Sequence, residues 1–191
     1  VTIPSICADS FMEEPLIRCT DEQREERLQL LDHLFRQAKK AGALHLGIPF
    51  LDNSALNTEE EIKQAASALQ SILPTLEELD MELHLETSLD TNAFVTFLNL
   101  IDSPRVKVTY DTGNSAGLGF DPHEEFAAYG DKIGSVHIKD RILGGGTVEL
   151  GTGDTNFAAV KEELEKINFS GLYTLQGARG EEGQEVEQLQ K

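Results

Sequence analysis

A repeated order of short extended runs and helix-like segments constrains this chain more than any other feature of its sequence. Six runs with strand character alternate with segments whose apolar residues recur at helical spacing, such as Leu28, Leu31 and Phe35 in the predicted helix 21–41. This order predicts right-handed crossovers and a parallel sheet covered by helices. The predicted strands are residues 2–8, 43–49, 81–86, 105–111, 133–139 and 171–176.

The alternation of polar and apolar residues within these strands bears on how the sheet closes. In the run that ends at Glu86, His84 shares a face with Glu86, whereas Leu83 lies on the opposite face. The runs 105–111 and 133–139 alternate in the same way. An open parallel sheet with helices on both faces would be apolar almost throughout. The pattern therefore favours a (β/α) barrel with a polar, ligand-filled upper interior over an open doubly wound sheet.

Length, charge and cysteine content limit the possible classes of protein. The chain has 191 residues, of which 39% are hydrophobic, and this suits a single globular domain over residues 1–191. A net charge of -18 repels phosphate backbones, so we expect no nucleic-acid partner. No apolar run approaches the ~20 residues that a membrane span needs, so we expect no membrane partner. Cys7 and Cys19, without a spacing motif, predict reduced thiols in a cytoplasmic protein.

Ionisable or amide side chains stand at the ends of four successive predicted strands. HLETS supplies Glu86, VTYDTGN supplies Asp111, VHIKD supplies His137 and YTLQGAR supplies Gln176. In a barrel these positions meet at the carboxyl-terminal mouth. Taken singly, an Asp or Glu after a strand is more often a helix cap or a solvated loop residue, but the joint occurrence favours a ligand set. Carboxylate and imidazole donors suit one divalent cation, namely Mn²⁺, Mg²⁺, Co²⁺ or Zn²⁺.

Basic and glycine-rich segments accompany these strand ends. Lys139 can pair with Asp140, pair with Glu86 or contact a substrate oxygen, and the sequence does not choose among the three. Arg141 and Arg179 are candidates for binding the polar or phosphate end of a substrate. The stretch 144–153 lacks the Lys-Ser/Thr ending of a phosphate-binding P-loop. We interpret it as a loop, either simply flexible or able to close over a substrate.

The motifs HLETS, VTYDTGN, GSVHIKDR and LGTGDTNF resemble the sugar phosphate isomerase/epimerase family, the xylose-isomerase-like barrels, over nearly the whole chain. The resemblance implies a (β/α)8 TIM barrel with the four metal ligands Glu, Asp, His and Glu on its last four strands. They fall on Glu86, Asp111, His137 and Gln176. The six strands would be the third to the eighth, with the first two missing and the last helix cut off. The exposed sheet edge then predicts a fragment, or a chain completed by assembly, for instance as a homo-oligomer.

The resemblance also implies a reaction. A bound metal would hold two oxygens of a small ketose or sugar phosphate and stabilise an enediolate. One ligand glutamate would remove a proton beside the carbonyl, and the other would deliver one from the opposite face. Glu86 is the candidate general base. Inversion at carbon, as in an epimerase, needs both groups, whereas a 1,2-isomerisation can use one.

Gln176 occupies the position at which the resemblance places the second catalytic carboxylate. An amide oxygen can contact a metal, but it cannot take up a proton. Three explanations stay open: an engineered Glu→Gln change, a natural one-base isomerase, or a catalytically impaired barrel that binds a sugar or a partner. A sugar lyase or dehydratase on the same site is a further alternative.

A resemblance to endonuclease IV is weaker. Asn114 stands where the DxxH motif of that enzyme has a histidine, and the net charge of -18 argues against DNA. In a sugar-converting enzyme, Asn114 is instead a candidate for contacting the substrate.

Overall fold

A computed structural model describes residues 2–178, in which strands and helices alternate as the sequence predicts. The strands are β1 (Ser5–Cys7), β2 (His45–Phe50), β3 (Glu82–Thr87), β4 (Val106–Asp111), β5 (Ile133–Ile138), β6 (Asp140–Arg141), β7 (Thr147–Val148) and β8 (Leu172–Leu175). The helices are α1 (Ser10–Glu13), α2 (Asp21–Ala41), α3 (Glu59–Gln70), α4 (Leu73–Leu79), α5 (Thr91–Ile101), α6 (Thr112–Leu118), α7 (Pro122–Tyr129) and α8 (Phe157–Lys166). Short 3₁₀ turns occupy Asp52–Ser54 and Gly130–Lys132.

Six strands follow one another in the sheet in chain order, β1-β2-β3-β4-β5-β8. The pairs β1–β2, β2–β3, β3–β4 and β5–β8 are parallel. A doubly wound sheet reverses its strand order at a switch point, whereas barrel strands stay sequential. The predicted α/β fold class with six parallel strands of the TIM-barrel type is therefore confirmed. The assignment of these strands as the third to the eighth stays a prediction.

The chain divides into two compact units, and the first extends to Val108. In this unit, residues of β3 alternate between two environments, as the sequence pattern predicts. Leu83 and Leu85, which share one face of the strand, are fully buried. On the other face, His45 and His84 stack with ring centroids 3.7 Å apart and planes 4° apart. The two histidines therefore lie in the interior, as their positions in β2 and β3 indicate.

The helices of the first unit begin and end where local chemistry dictates. Thr20 caps α2 in a capping box with Gln23, and Gly42, with a φ of 87°, ends the helix. The Thr58 hydroxyl accepts the backbone N–H of Glu61 at the start of α3. The predicted helix 21–41 is reproduced at both ends, because the polar start, the apolar spacing and the terminal glycine agree.

The second unit begins at Thr109. Its strands β5 and β8 pair from Ser135 opposite Leu172 to Ile138 opposite Leu175. The side chains of Asp121 and Asn156 cap α7 and α8 at their N-termini. The structure adds two features that the sequence did not predict. Helix α6 follows β4 directly, and the glycine-rich stretch contains β7, which pairs with β6 as an antiparallel ribbon.

The described part of the chain also shows the state of its cysteines and the character of its helices. Cys7 and Cys19 are both free thiols. Within residues 2–178, the helices are too short or too polar to cross a lipid bilayer.

Candidate metal centre

Asp111 is both the last residue of β4 and the N-cap of α6, and its two carboxylate oxygens have different neighbours. Oδ1 accepts the backbone N–H of Asn114 at 2.7 Å. Oδ2 lies 3.3 Å from Nζ of Lys139 and 3.8 Å from Nδ1 of His137. The capping hydrogen bond thus directs the second oxygen of this buried carboxylate toward the ammonium group of Lys139 and the imidazole of His137.

His137 and Gln176 approach each other across the β5–β8 pair. His137 lies opposite Thr174, and the backbone N–H of Gln176 donates to the carbonyl oxygen of Ile138 at 2.9 Å, just past the end of β8. The side-chain nitrogen of Gln176 is 3.2 Å from Nδ1 of His137. If this amide donates, Nδ1 is the acceptor and the ring proton is on Nε2. The Gln176 side chain is therefore turned toward His137 rather than toward the helices.

Lys139 and Arg141 share one acceptor, the side-chain oxygen of Asn114. Lys139 Nζ lies 3.2 Å from this oxygen, and Arg141 Nη1 lies 2.9 Å from it. Arg141 also donates through Nε and Nη2 to the carbonyl oxygen of Gly145, at 3.1 and 2.7 Å. The partners of Lys139 that the structure gives are Asp111 and Asn114. The candidate substrate residues Asn114, Lys139 and Arg141 thus form one connected polar cluster.

Asp140, which the sequence offered as a partner for Lys139, has a different role. Its carboxylate is fully buried, and Oδ2 accepts the backbone N–H groups of Gly151 and Gly153 at 2.9 and 2.8 Å. Oδ1 accepts the N–H of Thr155 at 3.1 Å. Burial alone raises the pKa of Asp140, but these donors outweigh it and lower the pKa. Asp140 therefore anchors the glycine-rich stretch instead of pairing with Lys139.

Two glycines of α6 leave space for the side chains of Lys139 and Arg141. A Cβ atom at Gly113 would lie 2.7 Å from Cγ of Lys139, and one at Gly117 would lie 2.9 Å from Nε of Arg141. Real Cβ atoms do not approach other atoms this closely, so a side chain at either glycine would force Lys139 or Arg141 to shift. The spacing of four residues places both glycines on one face of α6, and the two basic side chains lie against that face.

Glu86 lies in the first unit, near the carboxyl end of β3, opposite Pro49 of β2. It is buried, with 8% of its surface exposed. Among the described residues, the His, Cys, Asp and Glu side chains that could hold a metal ion are Glu86, Asp111 and His137. Two carboxylates and one imidazole fit the donor preferences of a divalent cation. Arg179, the remaining candidate for substrate binding, lies outside the described residues.

The sequence analysis missed a buried network around Glu125. This carboxylate, 4% exposed, accepts hydrogen bonds from Tyr110 at 2.9 Å, Ser115 at 2.5 Å and Tyr129 at 2.8 Å. Burial raises the pKa of Glu125, while the three hydroxyl donors act in the opposite direction. This network has little signature in the sequence, because acidic residues in the first turn of a helix are common and favoured by the helix dipole alone.

Comparison with known proteins places these observations in a family. A family model described as a xylose isomerase-like TIM barrel matches residues 1–190. The 3-oxo-isoapionate decarboxylase of Pectobacterium atrosepticum is 31% identical over 112 residues, which are 57% of this chain and 40% of that protein. The inosose dehydratase of Lacticaseibacillus casei is 28% identical over 88 residues, which are 44% of this chain and 30% of that protein. The matched segment is therefore less than half the length of either relative.

Solved structures share the fold at low sequence identity. A xylose isomerase domain protein from Planctomyces limnophilus has a TM-score of 0.75 at 20% identity, over 88% of this chain and 63% of its own. The IOLI protein with a binding zinc atom has a TM-score of 0.75 at 19% identity, over 87% and 65% of the two chains. The 3-keto-D-glucoside 4-epimerase of E. coli has a TM-score of 0.74 at 16% identity, over 98% and 76%.

At these identities the structural matches establish the fold, and the family follows from the match that extends over residues 1–190. The sequential parallel strands and the polar residues at their carboxyl ends agree with it. The chain belongs to the xylose isomerase-like TIM barrel family.

Proposed function

We propose that this chain belongs to an enzyme that uses one divalent metal ion to enolise a small ketose or sugar phosphate, with isomerisation as the overall reaction. The observation that carries the proposal is the position of Asp111 Oδ2, 3.8 Å from His137 Nδ1 at the ends of β4 and β5. Glu86, at the end of β3, supplies the third donor of the set. The bound zinc of the IOLI structure supports a divalent metal in a site of this family.

In an enolisation, different residues of the chain would bind the metal, remove the proton and bind the substrate. Glu86, Asp111 and His137 would hold the metal, which supplies charge stabilisation for a developing enediolate. Glu86 also removes the proton beside the carbonyl as general base. Lys139 Nζ, held 3.2 Å from Asn114 Oδ1, is placed to donate a hydrogen bond to a substrate oxygen. Arg141 binds the polar or phosphate end, because a guanidinium matches the geometry of an oxyanion.

Gln176 favours isomerisation over epimerisation. Its amide contacts His137 at 3.2 Å, where a second carboxylate is expected from the resemblance. The amide brings no negative charge and cannot accept a proton. With Glu86 as the only base of the pair, a proton can be removed and returned on one face of the substrate. A 1,2-isomerisation needs no more than this, whereas an inversion needs a proton donor on the opposite face.

A sugar lyase is the second candidate, and the same amide favours it. A dehydratase needs one base to remove a proton before hydroxide leaves. A decarboxylase that acts on a 3-oxo acid needs no base, because the electrons of the broken C–C bond form the enolate as CO₂ leaves, and the enolate carbon then takes up a proton. The names of the two curated relatives are those of a decarboxylase and a dehydratase. In such a reaction, Arg141 would hold the substrate carboxylate.

Metal binding tests the proposal first. We expect the purified protein to bind about one equivalent of Mn²⁺, Co²⁺ or Zn²⁺, measured by metal analysis and by competition with a chromophoric chelator. Glu86→Gln should weaken this affinity by at least the ~10–100-fold that is typical of outer-shell changes. Glu82→Gln is the matched control, because Glu82 lies four residues earlier on β3 and its carboxylate contacts His84 at 3.0 Å. Absence of metal from the parent protein would instead support a non-catalytic sugar-binding barrel.

Product analysis then separates the two reaction classes. The loaded enzyme is incubated with ketoses, ketose phosphates, a cyclic polyhydroxy ketone and a 3-oxo sugar acid. An aldose product with deuterium from solvent at one carbon supports the isomerase. Release of CO₂, or loss of water from the substrate, supports the lyase and contradicts isomerisation.

A further inference from the structure

The buried carboxylate of Glu125 holds both flanks of the turn that carries Asp111. Tyr110 directly precedes Asp111 on β4, and Ser115 directly follows Asn114 on α6. Both hydroxyls donate to the same oxygen, Glu125 Oε2, at 2.9 and 2.5 Å. The strand end and the second turn of the helix are therefore fastened to one point on α7.

This arrangement controls the direction of the carboxylate at Asp111. Oδ1 of Asp111 is fixed only if the N–H of Asn114 stays at 2.7 Å, and that N–H belongs to the turn between Tyr110 and Ser115. When this turn is held, the other oxygen, Oδ2, stays 3.8 Å from His137 Nδ1. A small rotation of α6 relative to β4 would move Oδ2 away from the imidazole. Two hydroxyl groups converge on one buried oxygen of Glu125, so this carboxyl group suits a fixed point of this kind.

We propose that Glu125 is a positioning residue of the metal centre, which acts through Tyr110 and Ser115 to orient Asp111 Oδ2. The inference rests on the proposed function, since it takes Asp111 as a metal ligand. Glu125 contacts neither Asp111 nor His137 in any described hydrogen bond. Its effect on the metal is transmitted through the backbone on either side of the turn. Outer-shell groups of this type typically change metal affinity by ~10–100-fold.

Tyr129 provides an internal control for this effect. Its hydroxyl donates to the other oxygen of the same carboxylate, Glu125 Oε1, at 2.8 Å. Tyr129 ends α7 and does not flank the turn at Asp111. Removal of its hydroxyl takes away one hydrogen bond to Glu125, as does removal of the hydroxyl of Tyr110. A purely structural network would respond equally to both changes, whereas a positioning network would not.

The test compares Tyr110→Phe, Ser115→Ala and Tyr129→Phe in the purified protein, because these small changes preserve folding better than a change of Glu125 itself. Affinity for Zn²⁺ and Co²⁺ is measured by chelator competition, and stability is measured by urea unfolding of the metal-free forms. We expect Tyr110→Phe and Ser115→Ala to lower the affinity by about 10-fold. Tyr129→Phe should lower it by less than about 2-fold at a similar loss of stability. The absorption bands of bound Co²⁺ should change for the first two variants only.

Two negative results in this experiment would lead to different conclusions. If the parent protein binds neither metal, the proposed function fails and this inference falls with it. If the parent binds metal and all three variants lose affinity in proportion to stability, only the inference is overturned. Unchanged affinity in Tyr110→Phe and Ser115→Ala would also overturn it.

Discussion

The side-chain nitrogen of Gln176 lies 3.2 Å from Nδ1 of His137, so a neutral amide adjoins a potential metal ligand. A glutamate of the same length would bring a negative charge and a proton acceptor to this point. The identity of residue 176 therefore affects both the affinity for metal and the kind of proton transfer that the site can support.

The first prediction follows from this contact. We expect Gln176→Glu to raise ketose epimerase activity well above that of the parent protein, because inversion needs a second acid–base group. One positioned group of this kind typically contributes ~10²–10⁴ in rate. The same change should tighten metal binding. Epimerisation of a panel of ketoses and ketose phosphates, with solvent deuterium followed at the carbon beside the carbonyl, measures the effect. A parent protein that already epimerises as fast as the variant would show that residue 176 is not the second base.

The second prediction concerns Gly113. Alanine there would place a Cβ 2.7 Å from Cγ of Lys139, so Lys139 must move away from Asp111. We expect a loss of about 1–3 kcal/mol in the free energy of unfolding from overpacking. We also expect a higher KM, because Lys139 is a candidate contact of the substrate.

Gly146→Ala is the control for this change, since a Cβ at Gly146 meets no atom within 4 Å. It should alter stability by less than about 0.5 kcal/mol. Urea unfolding and steady-state kinetics of both variants make the comparison. Equal behaviour of the two variants would contradict the close packing of Lys139 on α6.

The third prediction concerns Asp140 and pH. Its pKa is lowered because the backbone donors of the glycine-rich stretch outweigh the effect of burial. A lowered pKa in the folded state adds stability that is complete above the unfolded value of 3.8 and is lost as the pH falls through the folded value. We expect Asp140→Asn to cost about 2 kcal/mol at neutral pH. The difference from the parent should shrink below pH 3.8.

Urea unfolding from neutral to acidic pH measures this dependence, and Asp131→Asn, at an exposed aspartate, is the control. A difference between Asp140→Asn and the parent that stayed constant with pH would assign the loss to packing rather than to charge.

The fourth prediction concerns the contact between α7 and α8. His123 Nδ1 lies 2.5 Å from Glu163 Oε1, and this hydrogen bond raises the pKa of the exposed imidazole. A raised pKa adds stability that is complete below the unfolded value of 6.5 and is lost as the pH rises through the folded value. His123→Gln should therefore lower the melting temperature at pH 5.5 and have little effect at pH 9. Lys166→Gln, which removes another partner of Glu163, should show no such change between the two pH values. The opposite trend for His123→Gln would exclude the ion pair.

Much of the fold could be predicted because it is specified locally. The predicted helix 21–41 is observed as Asp21–Ala41, since the polar start, the apolar spacing and the glycine that follows all agree. Strand β4 ends at Asp111 as predicted, because its alternation of polar and apolar residues stops there. The positions of the candidate ligands depended on the same strand ends, so they could be predicted with the strands.

What the sequence could not show depends on contacts between distant segments. Helix α6 contains Gly113 and Gly117, which weaken helix propensity, and tertiary packing against Lys139 and Arg141 explains why both are present. The partner of Lys139 also required the structure, because proximity in sequence suggested Asp140. Proximity along a chain says little about which of two carboxylates a flexible lysine will reach.

The anchoring of the glycine-rich stretch by Asp140 has a consequence for how this enzyme family diversifies. Asp140 holds backbone N–H groups, which every residue except proline possesses, and so it places few demands on the side chains of the loop. Leu150 is exposed within this stretch, and Ile142 and Leu143 are exposed just before it. Mutations at these positions can therefore accumulate without loss of the loop's conformation. A library directed at Ile142, Leu143 and Leu150 would therefore vary the surface of this loop at little cost in folding, with Asp140, the glycines that it holds and Gly144, whose φ is 66°, left unchanged.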